Sequence, residues 1–339
     1  MTQTSDKTIA VLGAGSWGTA LAILLGSNGH QVRLWGHLKE EVDALIQARE
    51  NQHYLPGIPF PESLQAEADL GQALQGVTEI LIAVPSHAFH AVTRSIQPLL
   101  KDKPGIAWAT KGLEPGSQRL LSEVAAEQLP GHDLAVLSGP TFAREVAQGL
   151  PTAITVAATT PEHAERMAGL LHAPWFRAYT SDDMIGVQVG GASKNVLAIA
   201  AGIADGLGFG ANTRAALITR GLTEIMRLGL QLGGKAETFM GLAGLGDLLL
   251  TCTDNQSRNR RMGLALAEGL SLDEGLTRIG QEVEGVHAAQ EIHALANRHG
   301  VDMPISEQVY QVLYKGLEPE TAVRNLLERS QKPEGILSS

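Results

Sequence analysis

Residues Thr8 to Gly18, TIAVLGAGSWG, set a short β-branched and apolar run directly before the spacing G-x-G-x-x-G, and TALAILLGSNG (19–29) continues it as an apolar helical pattern. Strand, glycine turn and helix in that order are the context in which the spacing carries meaning. Gly13 makes the tight turn, Gly15 admits a pyrophosphate against the backbone, and Gly18 lets helix and strand pack closely. The helix N-terminus then attracts the anion. The stretch predicts a dinucleotide-binding α/β fold.

Outward from this turn, Gln31 to Trp35 reads as the second strand. A fold selective for NAD would place Asp or Glu at its end to hold the ribose hydroxyls. Here the residues are Trp35, Gly36, His37, Leu38 and Lys39. No carboxylate repels a 2′-phosphate, and His37 and Lys39 favour one, so NADPH is expected, with NADH accepted as well. After the helix KEEVDALIQARE (39–50) and the Pro-rich loop LPGIPFPES (55–63), the strand Glu79 to Val84 ends in Pro85 and Ser86. Strand and helix then alternate through HAFHAVTRSIQPLL, GIAWATKG, RLLSEVAAEQL, LAVLSGP, a strand over Thr152 to Ala157, a helix from Pro161 and a last strand in WFRAYTSDD (175–183). Repeated βα units predict a doubly wound, mostly parallel Rossmann-type sheet. Ligands bind such sheets at the carboxyl ends of the strands, which directs attention to Pro85-Ser86, Lys111-Gly112 and Ser138-Gly139-Pro140-Thr141. On spacing alone Lys111 reads equally as a substrate contact and as a surface loop lysine.

Beyond Asp183 the alternation gives way to helical periodicities over 184–207, 213–232, 235–253, 257–268, 285–299, 304–315 and 319–329. The expected organisation is a dinucleotide-binding domain over 1–183, an all-helical substrate and catalytic domain over 184–330, and a tail over 331–339. Two domains also suit a chain of 339 residues.

Within the helical half, VQVGGASKNVLAIAAGIADGLGFG (187–210) carries Lys194 as its only charge between Asp183 and Asp205. A lysine inside a buried helix is costly unless paired, hydrogen-bonded or discharged. Gly190, Gly191, Ala192 and Ser193 before it let a backbone, a cofactor ring or a small substrate approach. A second apolar stretch, TFMGLAGLGDLLLTCT (238–253), carries only Asp247 between Glu237 and Asp254. Two lone opposite charges in separate apolar segments are best accommodated if they meet, which makes Lys194 the candidate chemical centre and Asp247 its partner. Ser257-Arg258-Asn259-Arg260-Arg261 follows. Ser257 reads as an N-cap, and Arg258 with the helix terminus offers oriented donors to a phosphate. Arg260 and Arg261 read as solvated helix charges.

Composition narrows the function classes. A formal net charge of −10 with scattered basic residues argues against a nucleic-acid partner. The single cysteine, Cys252, excludes a disulfide framework and a cysteine-based metal site, so no metal is expected. No basic-then-apolar leader opens the chain, and the long apolar runs are broken by Gly, Lys194 or Asp247. A soluble, cytoplasmic protein without membrane insertion is expected, and a homodimer is plausible from two packed domains.

The strings GAGSWGTALA, ATKGLEPG, SGPTFAREV, GGASKNVLAIAAGIADGLGFGANTRAALITRG and GLAGLGDLLLTCTDNQSRNRR together resemble the bacterial NAD(P)-dependent glycerol-3-phosphate dehydrogenase family over nearly the whole chain. The resemblance implies interconversion of dihydroxyacetone phosphate and sn-glycerol 3-phosphate, feeding phospholipid synthesis. It implies Lys194 as proton donor and acceptor, with Lys111, Gly139, Thr141, Asp247, Ser257, Arg258 and Asn259 around the substrate. For the cofactor it implies Ser16, Trp17, His37, Lys111, Ala143, Arg258, Glu282 and Glu284 beside the three glycines. Family members often carry arginine, serine and an apolar residue where this chain has His37, Thr141 and Glu282. Two other readings share the architecture: a dehydrogenase of a hydroxy acid or sugar acid phosphate, and a redox-sensing protein that holds the dinucleotide without turnover.

Overall fold

The apolar run at the head of the chain is strand β1 (Thr8–Leu12), whose last four residues are wholly buried, as both faces of a parallel sheet require. The computed structural model describes residues 7–330; the tail expected over 331–339 lies outside them. After β1 come α1 (Ser16–Ser27), β2 (Gln31–Trp35), α2 (Lys39–Ala48), β3 (Leu64–Glu67), α3 (Leu70–Ala73), β4 (Glu79–Ile82) and α4 (Ser86–Ile96). Then follow β5 (Gly105–Trp108), α5 (Leu121–Gln128), β6 (Leu134–Ser138), α6 (Ala143–Ala147), β7 (Thr152–Ala158), α7 (Pro161–Leu171) and β8 (Phe176–Ser181). The eight strands form one sheet in the order β3-β2-β1-β4-β5-β6-β7-β8. Neighbours are parallel except β6 and β7, which run antiparallel. The order reverses beside β1, so the glycine turn at its carboxyl end opens where a doubly wound sheet binds ligands.

The remaining helices are α8 (Met184–Gly206), α9 (Ala211–Gln231), α10 (Ala236–Met240), a π-helical turn over Leu242–Gly246, α11 (Asp247–Thr253), α12 (Arg258–Ala267), α13 (Leu272–Ile279), α14 (Glu284–His299), α15 (Pro304–Lys315) and α16 (Pro319–Leu327). They surround α8, whose residues from Gly186 to Ala204 are all buried. Glycines make this possible: a Cβ on Gly202 would stand 2.1 Å from the carbonyl oxygen of Arg260, and one on Gly263 2.1 Å from that of Ile199. Helices α8 and α12 therefore touch backbone to backbone. Gly190 likewise faces the Ala243 carbonyl, so the small residues before Lys194 admit this protein's own backbone. By length and composition α8 could cross a membrane, against the expectation that no such run exists, but 89% of its apolar window is buried inside the protein. In α9 the carboxylate of Glu224 accepts from the amides of Ile305 and Ser306 at 2.7 and 3.1 Å and so caps α15.

The chain divides into two compact units. One holds the sheet, up to Thr110 and again from Leu121 to Met184; the other holds Lys111–Leu120 and everything from Ile185. The expectation of an unbroken first domain to residue 183 is thus corrected at one loop. Leu113 and Leu120 belong to the apolar core of the helical unit, which makes the ten residues between Thr110 and Leu121 part of that unit.

Candidate active site

In the sheet unit, the glycine turn has the geometry that a dinucleotide needs. Gly13 has φ +119, where L side chains are strained, and a Cβ there would also meet the Ala83 carbonyl oxygen at 2.7 Å. A Cβ on Gly18 would stand 1.9 Å from the Gly13 oxygen, so α1 is pinned against the turn. Around Gly15 a Cβ would meet nothing within 4 Å. Gly15 is also the N-cap of α1 and supplies no side-chain cap, which leaves the helix terminus to an outside acceptor. Beside it Ser16 donates to the Tyr54 carbonyl at 3.4 Å, and the buried indole Nε1 of Trp17 has no hydrogen-bond partner. These residues fit a bound dinucleotide.

Other expected positions sit at strand ends of the same unit. His37 is exposed beyond β2, and Lys39 is held 2.8 Å from Asp43, one turn along α2. After β6, Thr141 donates to the Gly139 carbonyl at 3.2 Å, Gly139 lies close against the backbone of β7, and Ala143 opens α6.

The charges converge in the helical unit. Lys194, 6% exposed, donates to one carboxylate oxygen of Asp247 and, at 2.9 Å, to the hydroxyl of Thr251. The Thr251 hydroxyl in turn donates to the Asp247 carbonyl at 2.6 Å, one turn back in α11. Asp247 follows the π-helical turn, in which the Gly246 amide donates to the Gly241 carbonyl, and such turns are frequent at functional sites. The other Asp247 oxygen lies 2.7 Å from the ammonium of Lys111. Two lysines share one buried carboxylate. Lys111 was open between two readings, and the structure places it in the cluster rather than at the surface.

Burial sets the titration of this group. It pushes Lys194 down to about 8; the charge on Lys111 pushes the same way, and Asp247 opposes both. On Lys111 burial also acts downward, but the adjacent Asp247 outweighs it and the net direction is up. For Asp247 burial favours the neutral acid, yet the two ammonium groups overcome it and hold the carboxylate below its ordinary range. Cys252, the next residue after Thr251, is fully buried, and burial raises its thiol to about 12.

A hydrogen-bonded network of two asparagines and Glu284 adjoins the ion cluster. Asn195 donates to Glu284 at 3.3 Å and accepts from the Asn259 amide at 2.9 Å, and the Asn259 oxygen accepts from the Gly285 amide at 2.8 Å. Asn259 therefore ties α8, α12 and α14 together and retains one amide hydrogen. Ser257 caps α12 through the Arg260 amide, and Arg258 is half-buried at its first turn. Arg260 is 8% exposed and lies 2.6 Å from Asp205, a correction to its reading as a solvated charge. Glu282 is exposed, 3.6 Å from His287. Thr251 and Asn195 were missed in the sequence; each stands one turn or one residue from a charge that was found.

Two family models match this chain. Residues 8–164 match the N-terminal region, and residues 183–324 the C-terminal region, of NAD-dependent glycerol-3-phosphate dehydrogenase. The chain belongs to the NAD-dependent glycerol-3-phosphate dehydrogenase family. A glycerol-3-phosphate dehydrogenase [NAD(P)+] from Shewanella frigidimarina is 58% identical over 97% of this chain and 98% of its own length. One of the same name from Idiomarina loihiensis is 57% identical over 96% and 98%. The crystal structure of glycerol-3-phosphate dehydrogenase from Coxiella burnetii superposes with a TM-score of 0.93 at 53% identity, covering 96% of this chain and 99% of that one. As a glycerol-3-phosphate dehydrogenase the chain is an NAD(P)-dependent oxidoreductase with a small-molecule substrate, which removes the hydroxy-acid and sensor readings.

Proposed function

We propose that Lys194 exchanges the proton in the interconversion of dihydroxyacetone phosphate and sn-glycerol 3-phosphate, and that Asp247 and Lys111 set its readiness to do so. The observation that carries this reading is the buried Lys194–Asp247–Lys111 cluster. A bound nicotinamide dinucleotide supplies or accepts the hydride. In the reducing direction protonated Lys194 donates to the oxygen of the substrate's central carbonyl as it gains charge. In the oxidising direction neutral Lys194 takes the hydroxyl proton. A lysine titrating near about 10.4 serves poorly as a base at neutral pH, and one brought to about 8 serves in both directions.

Supporting roles follow from placement. Ser257, Arg258 and Asn259 at the start of α12 suit the substrate phosphate, where a helix terminus and a guanidinium act together. Gly139 and Thr141 complete the substrate set. Gly13, Gly15, Ser16, Trp17, Gly18, His37, Lys111, Ala143, Arg258, Glu282 and Glu284 form the cofactor set. NADPH is the favoured cofactor, because no carboxylate ends β2. The setting is a cytoplasmic homodimer that supplies glycerol phosphate for phospholipid synthesis.

The deciding experiment follows the loss of reduced-nicotinamide absorbance on adding dihydroxyacetone phosphate, with NADPH and NADH in parallel. The wild type consumes NADPH faster. Lys194→Ala retains cofactor binding and loses about 10²- to 10⁴-fold in turnover, the usual worth of a placed acid-base group. Wild-type turnover in that variant removes Lys194 from the chemistry.

A further inference from the structure

The loop from Lys111 to Leu120 follows β5 in the chain but is anchored in the helical unit. Leu113 and Leu120 form an antiparallel bridge and enter the helical core. Between them the backbone turns through left-handed conformations at Gly116 (φ 79) and Gln118 (φ 58). For glutamine that conformation is unfavourable, so something must hold it.

What holds it is one face of α14. Glu291, 8% exposed, accepts from the Gly116 amide at 3.3 Å with one carboxylate oxygen and from the Gln118 side-chain amide at 2.9 Å with the other. A buried carboxylate needs donors on both oxygens, and here the loop supplies them. Two turns along the same face, Arg298 donates to the Ser117 carbonyl at 3.0 Å and to the Gln118 side-chain oxygen. The loop also braces itself, since Glu114 accepts from Arg119 at 2.7 Å and from the Ser117 hydroxyl. At the head of this clamped loop stands Lys111, 2.7 Å from Asp247.

We propose that Glu291 and Arg298 are positioning residues for proton transfer: by fastening the Lys111–Leu120 loop to α14 they keep the Lys111 ammonium on Asp247. The proposal rests on the reading of Lys194 as the proton-exchanging group. The ionisable groups that act on Lys194 are Asp247 from α11 and Lys111 from the loop; Cys252 lies on α11 and feels the Lys194 charge, and Glu284 at the head of α14 acts on Lys111. Releasing the loop withdraws one positive charge and leaves Asp247 wholly to Lys194. Both changes favour the protonated lysine, so its titration moves up.

The test uses Glu291→Ala, Lys111→Met and the double variant, each in the full chain. Two readouts are taken: the pH profile of kcat/KM for glycerol phosphate oxidation, and the NMR titration of Lys194 in protein isotope-labelled at the lysine Cε atoms, assigned by its loss in Lys194→Ala. Glu291→Ala is expected to raise both midpoints by about one unit, and to add nothing in the Lys111→Met background. An unmoved Lys194 titration in folded Glu291→Ala overturns the proposal, as does an equal further shift in the double variant. A moved NMR midpoint with an unmoved rate profile supports the clamp and overturns the role of Lys194 instead. Arg298→Ala, at an exposed position, is expected to shift the midpoints less and in the same direction, and it carries the test if Glu291→Ala does not fold.

Discussion

Asp247 is the carboxylate that both ammonium groups touch in a largely buried cluster, so Asp247→Asn takes that partner from both. Removing one partner of a buried pair costs about 3 to 5 kcal/mol. We expect a loss of that order in urea unfolding at neutral pH. The variant's Lys194 should also titrate below about 8, because the group that opposed burial is gone. Unchanged stability together with an unchanged oxidation profile would show that Asp247 does not hold the cluster. Lys194 and Asp247 were legible in the sequence because each interrupts an otherwise uncharged segment. Spacing alone left Lys111 open, since a lysine after a strand and before a glycine looks the same whether it faces water or a carboxylate, and only the family resemblance put it near the substrate. Thr251 and Asn195 leave no mark on hydropathy and became visible only through their hydrogen bonds. Arg260 misled because neighbouring arginines resemble an exposed face, and its partner Asp205 lies far back in the chain.

At the scale of elements, the junction between α9 and α15 carries its own pH dependence. Burial raises Glu224 to about 7, against an ordinary 4.5, although the Ile305 and Ser306 amides pull it down. The folded state therefore binds this proton more tightly than the unfolded chain does. That contribution to stability is full below pH about 4.5, falls as pH rises, and is gone above about 7. Glu224→Gln removes the titration. Relative to wild type it should gain up to about 3 kcal/mol between pH about 5 and about 8 in urea unfolding. A constant difference across that range would assign Glu224 an ordinary acidity. Strongly patterned elements were readable in advance: β1, α1, β2 and α8 lie close to where the periodicities put them. Short ones were not. Strand β3 has four residues and α6 five, too few for a period to register. The alternation of strands and helices also hid the antiparallel return of β7. The connection before it contains only α6, which is not the full crossover helix that a parallel neighbour needs. Helix α13 was missed although Ser271 and Glu274 form a capping box across its first turn.

Across the whole molecule, the change from a sheet half to a helical half was legible from the change of rhythm at Asp183, but the assignment of the Lys111–Leu120 loop was not. Sequence order places it among βα units, while its two leucines place it among helices. Lys111 is thus carried by the sheet half in sequence and held by the helical half in space, against Asp247.

The burial of Cys252 has a practical consequence. It is the sole thiol of the chain, wholly enclosed and hardly ionised at neutral pH, so a thiol reagent reaches it only when the helical core opens. Its reaction rate becomes a clock for excursions of the very segment that bears Asp247 and Thr251. In the native protein that clock should run slowly, and in Asp247→Asn it should run faster by a factor set by the lost stability, about 10² or more for 3 kcal/mol. Labelling at the rate of a small free thiol in the native protein would show that the core admits solvent. A slow clock, read with and without bound substrate, would time how firmly occupancy of the site keeps its own floor closed.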